Sequence, residues 1–398
     1  MTSLRPSTPV PALILSDTHL SRAHGRGTAE ALGALLAAHP DAELVLAGDI
    51  FDLSLDPPRT DPAENVAAVL AAHPSLADAL RRHVAGGSPV TLVPGNHDAS
   101  LTSPNAVETL RRVFGCPDDR QLTVADWFVR RGDIHVEHGH LYDPDNAPNH
   151  PLGGHDPRTE PLGTALMRRF VAPNDALSFA HAHETTPVSG LAAAFRLWGA
   201  RAPIVIARYF TTAFGLCVGA ARPRFAYGSE ERRGAARLEE HALQNGLSPD
   251  VVEALLSAAP RPTHRGFSDT VLRLYFDRIF AALGASTGLG LLTAAGLGGT
   301  AGPTAPAAGA LLTALGSGYL THNVLTKQSR YSGVIVNRIA DSARMVREVT
   351  GARLVVFGHT HVDVDEPGYV NLGSFGFNGK RPHLLVAHHG QHELRRAA

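Results

Sequence analysis

Five short stretches of this chain set carboxylates, imidazoles or an amide where apolar runs stop: Asp17-Thr18-His19, Gly48-Asp49-Ile50-Phe51-Asp52, Pro94-Gly95-Asn96-His97-Asp98, Glu137-His138-Gly139-His140 and Gly358-His359-Thr360-His361. Carboxylate oxygens and neutral imidazoles are ligands for divalent ions, and imidazole also carries protons near neutral pH. In an extended segment residues two apart project to one side, so Asp17 and His19 are expected to point at one atom, and His359 and His361 share that spacing. Gly48 permits a sharp turn that would let the one carboxylate of Asp49 bridge two cations. Asp52 stands three residues on, placed to support it. Each stretch alone has a plainer reading as a turn or a helix cap. Their repetition in order argues for a single site.

The elements that must position these residues are short strands. Pro11–Ser16, Asp41–Leu46, Val90–Val93, Asp133–Val136 and Arg353–Phe357 are apolar runs, each ending at one of the motifs. Ligands of open α/β sheets sit outside the carboxyl ends of the strands, which is where these side chains would gather. Thr28–His39, Ala63–Val84 (broken at Pro74) and Ser103–Phe114 have helical spacing. Leu122–Arg130 and Asp133–Val136 are expected to form a hairpin turning at Arg131-Gly132. Gly368–Ser374 and His383–Ala387 supply two further strands, and the polar tail from Gln391 is expected to fray.

The 398 residues suffice for two or more domains, and the 44% apolar content suits a large core. A formal net charge of −1 gives the whole molecule no electrostatic case for nucleic acid or an anionic membrane. Two distant cysteines, Cys116 and Cys217, form no disulfide framework and fit a reducing compartment. The first residues lack the apolar core of a secretory signal, so a cytoplasmic location is expected.

From Leu141 the character changes. A polar, proline-rich loop with Asp143, Asp145 and Asn146 follows His140; it is either the rim of a pocket or a solvated connector. Helical segments then run through Thr164–Phe170, Ser189–Ala200, Ile204–Ala220, Glu230–Asn245, Pro249–Ala258, Ser268–Leu283 and Tyr331–Val349. His181, His183 and His264 among them are expected to be structural. Between Arg278 and Lys327 there is no Asp, Glu, Lys or Arg. Residues 279–326 are therefore a buried hairpin in a soluble cap, a membrane-inserted hairpin, or a double span of ~20 residues per pass.

Together the five motifs resemble the calcineurin-like metallophosphoesterase family over about residues 10 to 145 and 350 to 390. The resemblance implies an α/β fold, a four-layer α/β/β/α sandwich with a large helical insertion. Its domain would come in two parts, 1–150 and 345–398, around an insertion at 151–344. It implies two metals: Asp17, His19, Asp49 and His361 on one, and Asp49, Asn96, His138 and His359 on the other. His97 would be the catalytic histidine, oriented by Asp98. Mn²⁺ is the first choice of ion, with Fe or Zn as alternatives. The expected activity is hydrolysis of a phosphoester by metal-activated water. An apolar insertion would favour a lipid-linked or membrane-proximal substrate and attachment to the inner face of a membrane. No basic stripe suggests nucleic acid. The competing class is a non-catalytic scaffold or membrane-interaction module on the same fold.

Overall fold

The computed structural model describes residues 11–56, 60–116, 121–176, 187–222, 225–297, 302, 304–326, 334–377, 379–387 and 391–396. His181, His183 and most of the turn at 298–303 lie outside them. The chain divides into two compact units: Met1–Leu177 with Pro223–Pro262 and Ile335–Ala398, and Ser178–Arg222 with Thr263–Val334. The first unit therefore takes in more than the two outer segments that carry the motifs; 223–262 also belongs to it.

In the first unit the opening strands alternate in β1 Ala12–Leu15, β2 Glu43–Ala47 and β3 Val90–Val93 with helices α1 Arg26–Ala38, α2 Pro62–Ala72, α3 Pro74–Ala85 and α4 Pro104–Phe114. Pro74 breaks the second helical region as its missing N–H requires, opening α3 at its first turn. Strands β4 Leu122–Val124, β5 Phe128–Arg131, β6 Ile134–Glu137, β7 Leu354–Phe357, β8 Asp363–Glu366, β9 Tyr369–Leu372, β10 Pro382–Val386 and β11 His392–Arg396 complete two mixed sheets. The six-stranded sheet runs β11-β10-β1-β2-β3-β4 and the five-stranded sheet β5-β6-β7-β9-β8. Strands β1 to β4 are parallel to one another, as are β6, β7 and β9.

Period-two alternation assigns the layers. Leu13 and Leu15 face a core shared with α1 to α4, whereas Ala12 and Ile14 face a core between the sheets with Val136, Val356 and Val370. Val355 and Phe357 face a third core with Leu238, Val252 and Val346. Those residues lie on helices that cover the second sheet. The architecture is an α/β/β/α sandwich with additional helices.

Three expectations are corrected. Leu122–Arg130 is not one strand: β4 joins the first sheet beside β3, β5 joins the second, and only β5–β6 is a hairpin. The buried Ala125 and Trp127 mark the crossing. The tail does not simply fray, because His392–Arg396 pairs antiparallel with β10 as an edge strand. Its alternation of charged residues suits an edge, and hid it as a strand. Ser268–Leu283 is not one helix, since Tyr275 takes a left-handed φ of 62° between two.

The remaining helices, in chain order, are α5 Leu162–Leu166, α6 Pro187–Trp198, α7 Ala202–Ala221, α8 Phe225–Gln244, α9 Pro249–Ala258, α10 Phe267–Arg273, α11 Phe276–Gly296, α12 Ala305–Leu325 and α13 Val334–Thr350. The second unit holds α6, α7, α10, α11 and α12. In it α11 and α12 form an antiparallel pair.

Candidate metal centre

Every expected ligand follows the carboxyl end of a parallel strand, and the two sheets bring those ends together. Asp17 N donates to Gly48 O at 3.0 Å and His19 N to Asp49 O at 2.9 Å, tying the first two motifs side by side. Gly358 N donates to His138 O at 3.1 Å, doing the same in the second sheet. His359 N then reaches across to Asp17 Oδ2 at 3.1 Å.

The backbone there is unusual. Eight described residues other than glycine have positive φ, and five are expected ligands: Asp17 (54°), His19 (45°), Asp49 (49°), His359 (69°) and His361 (56°). The extended geometry expected for Asp17 and His19 is thus overturned; left-handed turns aim these side chains inward. L-residues adopt that region at a cost of about 1–2 kcal/mol each, and such residues gather at functional sites. Two glycines make room. Gly48 has φ 91° and its missing Cβ would overlap the His138 ring, while a Cβ on Gly95 would overlap the Asp49 carboxylate.

Two clusters result. His19 Nε2 lies 3.6 Å from Asp17 Oδ1 and 3.1 Å from His361 Nε2, and His361 Nε2 lies 3.1 Å from Asp17 Oδ1. Asp49 Oδ2 lies 3.2 Å from His138 Nε2 and 3.8 Å from His19 Nε2, so it stands between the clusters. Asp17, His19 and His361 form one group able to hold an ion, and Asp49, His138 and His359 another, each with its ligand atoms within 4.8 Å of one another. His19, Asp49 and His97 form a third such group.

The donor chemistry fits divalent ions. His138 Nδ1 meets the carbonyl of Ala47 at 3.0 Å, so Nδ1 carries the proton and Nε2 is the basic nitrogen. That Nε2 is buried and makes no hydrogen bond, and the same is true of Asn96 Oδ1. Burial would lower the His138 pKa, yet Asp49 and Asp17 carry it up to about 9. Burial would likewise raise Asp49, but His138 and His97 hold it well below the ordinary carboxylate range. The pocket is built for positive charge.

Supporting contacts correct two expectations. Asp98 does not orient His97. Its carboxylate is fully buried and accepts from the backbone N–H of Gly95 (2.7 Å), Ile50 (2.7 Å) and Phe51 (3.1 Å), so it clamps the second and third motifs together. Burial and the charge of Asp49 raise it to about 6. The partner of His97 is Asp52, at 2.8 Å from Nδ1, with Ser54 Oγ at 2.9 Å. Ser54 also donates to Asp52 Oδ1 at 2.6 Å. A helical turn at Leu53–Leu55 folds Asp52 and Ser54 back over His97, which no linear spacing announces. The His97 main-chain N–H donates to Asp49 Oδ1 at 2.9 Å.

The loop after His140 is no solvated connector. Asp143 is buried and accepts from His359 Nε2 at 3.0 Å and Asn146 Nδ2 at 2.8 Å. Asn146 Oδ1 accepts from Asn96 Nδ2 at 3.3 Å. One loop therefore fixes His359 and Asn96 together, in the way that outer carboxylates orient metal-ligating imidazoles. Its acidic and amide composition was the available signal.

Residues 10–192 match the family model of the calcineurin-like phosphoesterases. The match covers Asp17, His19, Asp49, Asn96, His97, Asp98 and His138; His359 and His361 join them through the fold. No curated relative matches the chain.

Proposed function

The chain belongs to the calcineurin-like phosphoesterases, and from that premise we propose a two-metal hydrolase acting on a phosphoester of a lipid-linked or membrane-proximal compound. The observation that carries the catalytic reading is the pair of ligand groups around Asp49 with the Asp52–His97 pair at their edge. In this reading Asp17, His19, Asp49 and His361 would hold one ion, and Asp49, Asn96, His138 and His359 would hold the other. Mn²⁺ is the ion we assign first, since oxygen donors with neutral imidazoles suit it. When bound, two such ions would supply charge neutralisation for the phosphate and acidify a water for attack.

The protein residues supply the rest. Asp52 accepts the Nδ1 proton of His97, fixing the ring and presenting the Nε2 proton. His97, held in the charged form by that carboxylate, donates a proton to the departing oxygen. Asp49 binds the His97 main chain, so ligand and acid move as one piece. Asp98 keeps both turns in register, and Asp143 with Asn146 holds the second ligand group.

The substrate class rests on the apolar surface of the second unit. We place it at the cytoplasmic face of a membrane, a reading that suits that class and with which two free, buried cysteines are compatible. The test is hydrolysis of a chromogenic phosphodiester and a monoester by metal-stripped protein titrated with Mn²⁺, alongside His97→Ala and metal analysis. Activity that rises toward two ions per chain and disappears in the variant is expected. Full-length protein that binds no metal and hydrolyses neither ester would return the domain to a scaffold role.

A further inference from the structure

We infer that the second unit is a membrane anchor: α11 and α12 enter a lipid bilayer as a helical hairpin, and the arginines on and beside α6 and α7 bind its anionic headgroups. Four observations converge on this.

The first is where the apolar surface lies. Of 20 large hydrophobic residues exposed among the described residues, 18 belong to the second unit. Phe280, Leu289, Leu311, Leu315 and Leu325 on the hairpin are 59–75% exposed. Soluble domains scatter such residues singly.

The second is length and uniformity. Each helix has 21 residues, about 31 Å at 1.5 Å per residue, matching a hydrocarbon core of ~30 Å. Within Ile279–Thr326 no side chain is acidic or basic apart from His322. An 18-residue window of Phe276–Gly296 has a mean hydropathy of 1.5, with only 6% of it buried. A helix apolar on all sides belongs in a core or in lipid, and this one has no core around it.

The third is how the two helices meet. A Cβ on Gly288 would overlap Gly309 O and Thr313, and one on Gly316 would overlap Ala281 O and Ala285. The seam brings backbone close to backbone, leaving Leu289, Leu311 and Leu315 outside, which is how helices associate in lipid. The hydroxyls of Thr293 and Thr313 donate to carbonyls four residues earlier, at 2.9 and 2.8 Å, so neither is left unsatisfied. Polar contacts collect at one end: Tyr319 Oη bonds Asp277, and Arg278 lies 4.6 Å from the Tyr275 ring. The hairpin has a wet base and an apolar body.

The fourth is charge. Residues 178–222 and 263–334 hold nine Lys or Arg and three Asp or Glu, a balance of +6, which leaves −7 for the rest of a chain of net −1. Exposed Arg196, Arg201, Arg208 and Arg222 share 187–222 with no acidic residue, interleaved with exposed Phe195, Ile204 and Phe214. Arginines beside exposed aromatic and aliphatic side chains suit an anionic interface. The neutral total conceals this asymmetry.

The test is flotation of the full chain with vesicles of phosphatidylcholine, alone or with about one third phosphatidylglycerol. We expect the protein to float with the anionic vesicles and to stay bound through high salt and alkaline carbonate. Leu289→Lys with Leu315→Lys should lower the bound fraction on the order of a hundredfold, while hydrolysis of a soluble chromogenic ester is kept. Arg196→Glu, Arg201→Glu and Arg208→Glu together should reduce binding to anionic vesicles alone. The inference falls if native protein remains at the bottom of the gradient. It also falls if salt strips the protein from the vesicles. A discrete lipid-free dimer that Leu315→Cys cross-links across copies would overturn it in favour of a second copy of this chain. Flotation requires no catalysis, so it is read independently of the hydrolase reading.

Discussion

Replacing Asp52 by Asn tests the orientation of His97, with a lesser effect on His19, whose Nδ1 lies 3.9 Å from Asp52 Oδ2. Asp52 is 3% exposed, its Oδ1 lies 2.8 Å from His97 Nδ1, and it belongs to none of the three ligand groups. Hydrogen bonds to charged groups contribute ~1.5–3 kcal/mol, and ~1.4 kcal/mol is tenfold in rate, so the lost bond alone predicts about 10- to 100-fold. We expect about a 10- to 100-fold loss in kcat, with metal content and Tm near native. The pH profile gives a second readout. Burial lowers the His97 pKa, but Asp49 and Asp52 raise it above its ordinary value. As the proton donor it must be charged, so activity falls as pH rises through that pKa. Asp52→Asn should move this limb to lower pH. A variant with native kcat and an unmoved limb, or Asp98→Asn showing the larger kcat loss at unchanged Tm, would refute the assignment.

Asp98→Ala should instead act on stability: three buried backbone donors lose their acceptor, and thermal unfolding should show a loss on the order of 2–4 kcal/mol. Asp143→Asn should weaken binding of the ion assigned to Asp49, Asn96, His138 and His359 about 10- to 100-fold in calorimetric titration, with the other unaffected. Acid stability should be sensitive to His241, which burial against Trp127 and Phe128 pushes down to about 4 from 6.5. Above pH 6.5 it is neutral in both states; as pH falls from 6.5 to about 4 the unfolded chain takes up the proton first and stability is lost, on the order of 3 kcal/mol in full. Denaturant unfolding across that window should show a shallower pH slope for His241→Gln.

What could be read from the sequence was whatever is written contiguously. The five motifs are local: a buried strand, a stop, then the ligand, as in Val90–Val93 before Asn96 and His97. Asp98 was misread because adjacency in sequence stood in for adjacency in space. The turn at Leu53–Leu55 delivers Asp52 to His97, while Asp98 faces backwards to three main-chain N–H groups. Left-handed backbone at Asp17 and His19 was equally hidden, since nothing about either residue type demands it. Strand β8, with Asp363, Val364, Asp365 and Glu366, carried no apolar run to announce it. Ile279–Thr326 declared its apolarity openly, but the Gly288–Gly309 contact and the outward leucines needed coordinates.

The five left-handed ligand residues have a consequence for the molecule's history. At each of them glycine would relax the backbone by roughly 1 kcal/mol or more. Selection for stability alone would therefore drift toward glycine at Asp17, His19, Asp49, His359 and His361, disarming the centre one side chain at a time. That the chain keeps acids and imidazoles at all five marks fold robustness and chemistry as competitors at the same positions. A library screened only for heat resistance should rediscover the inert version.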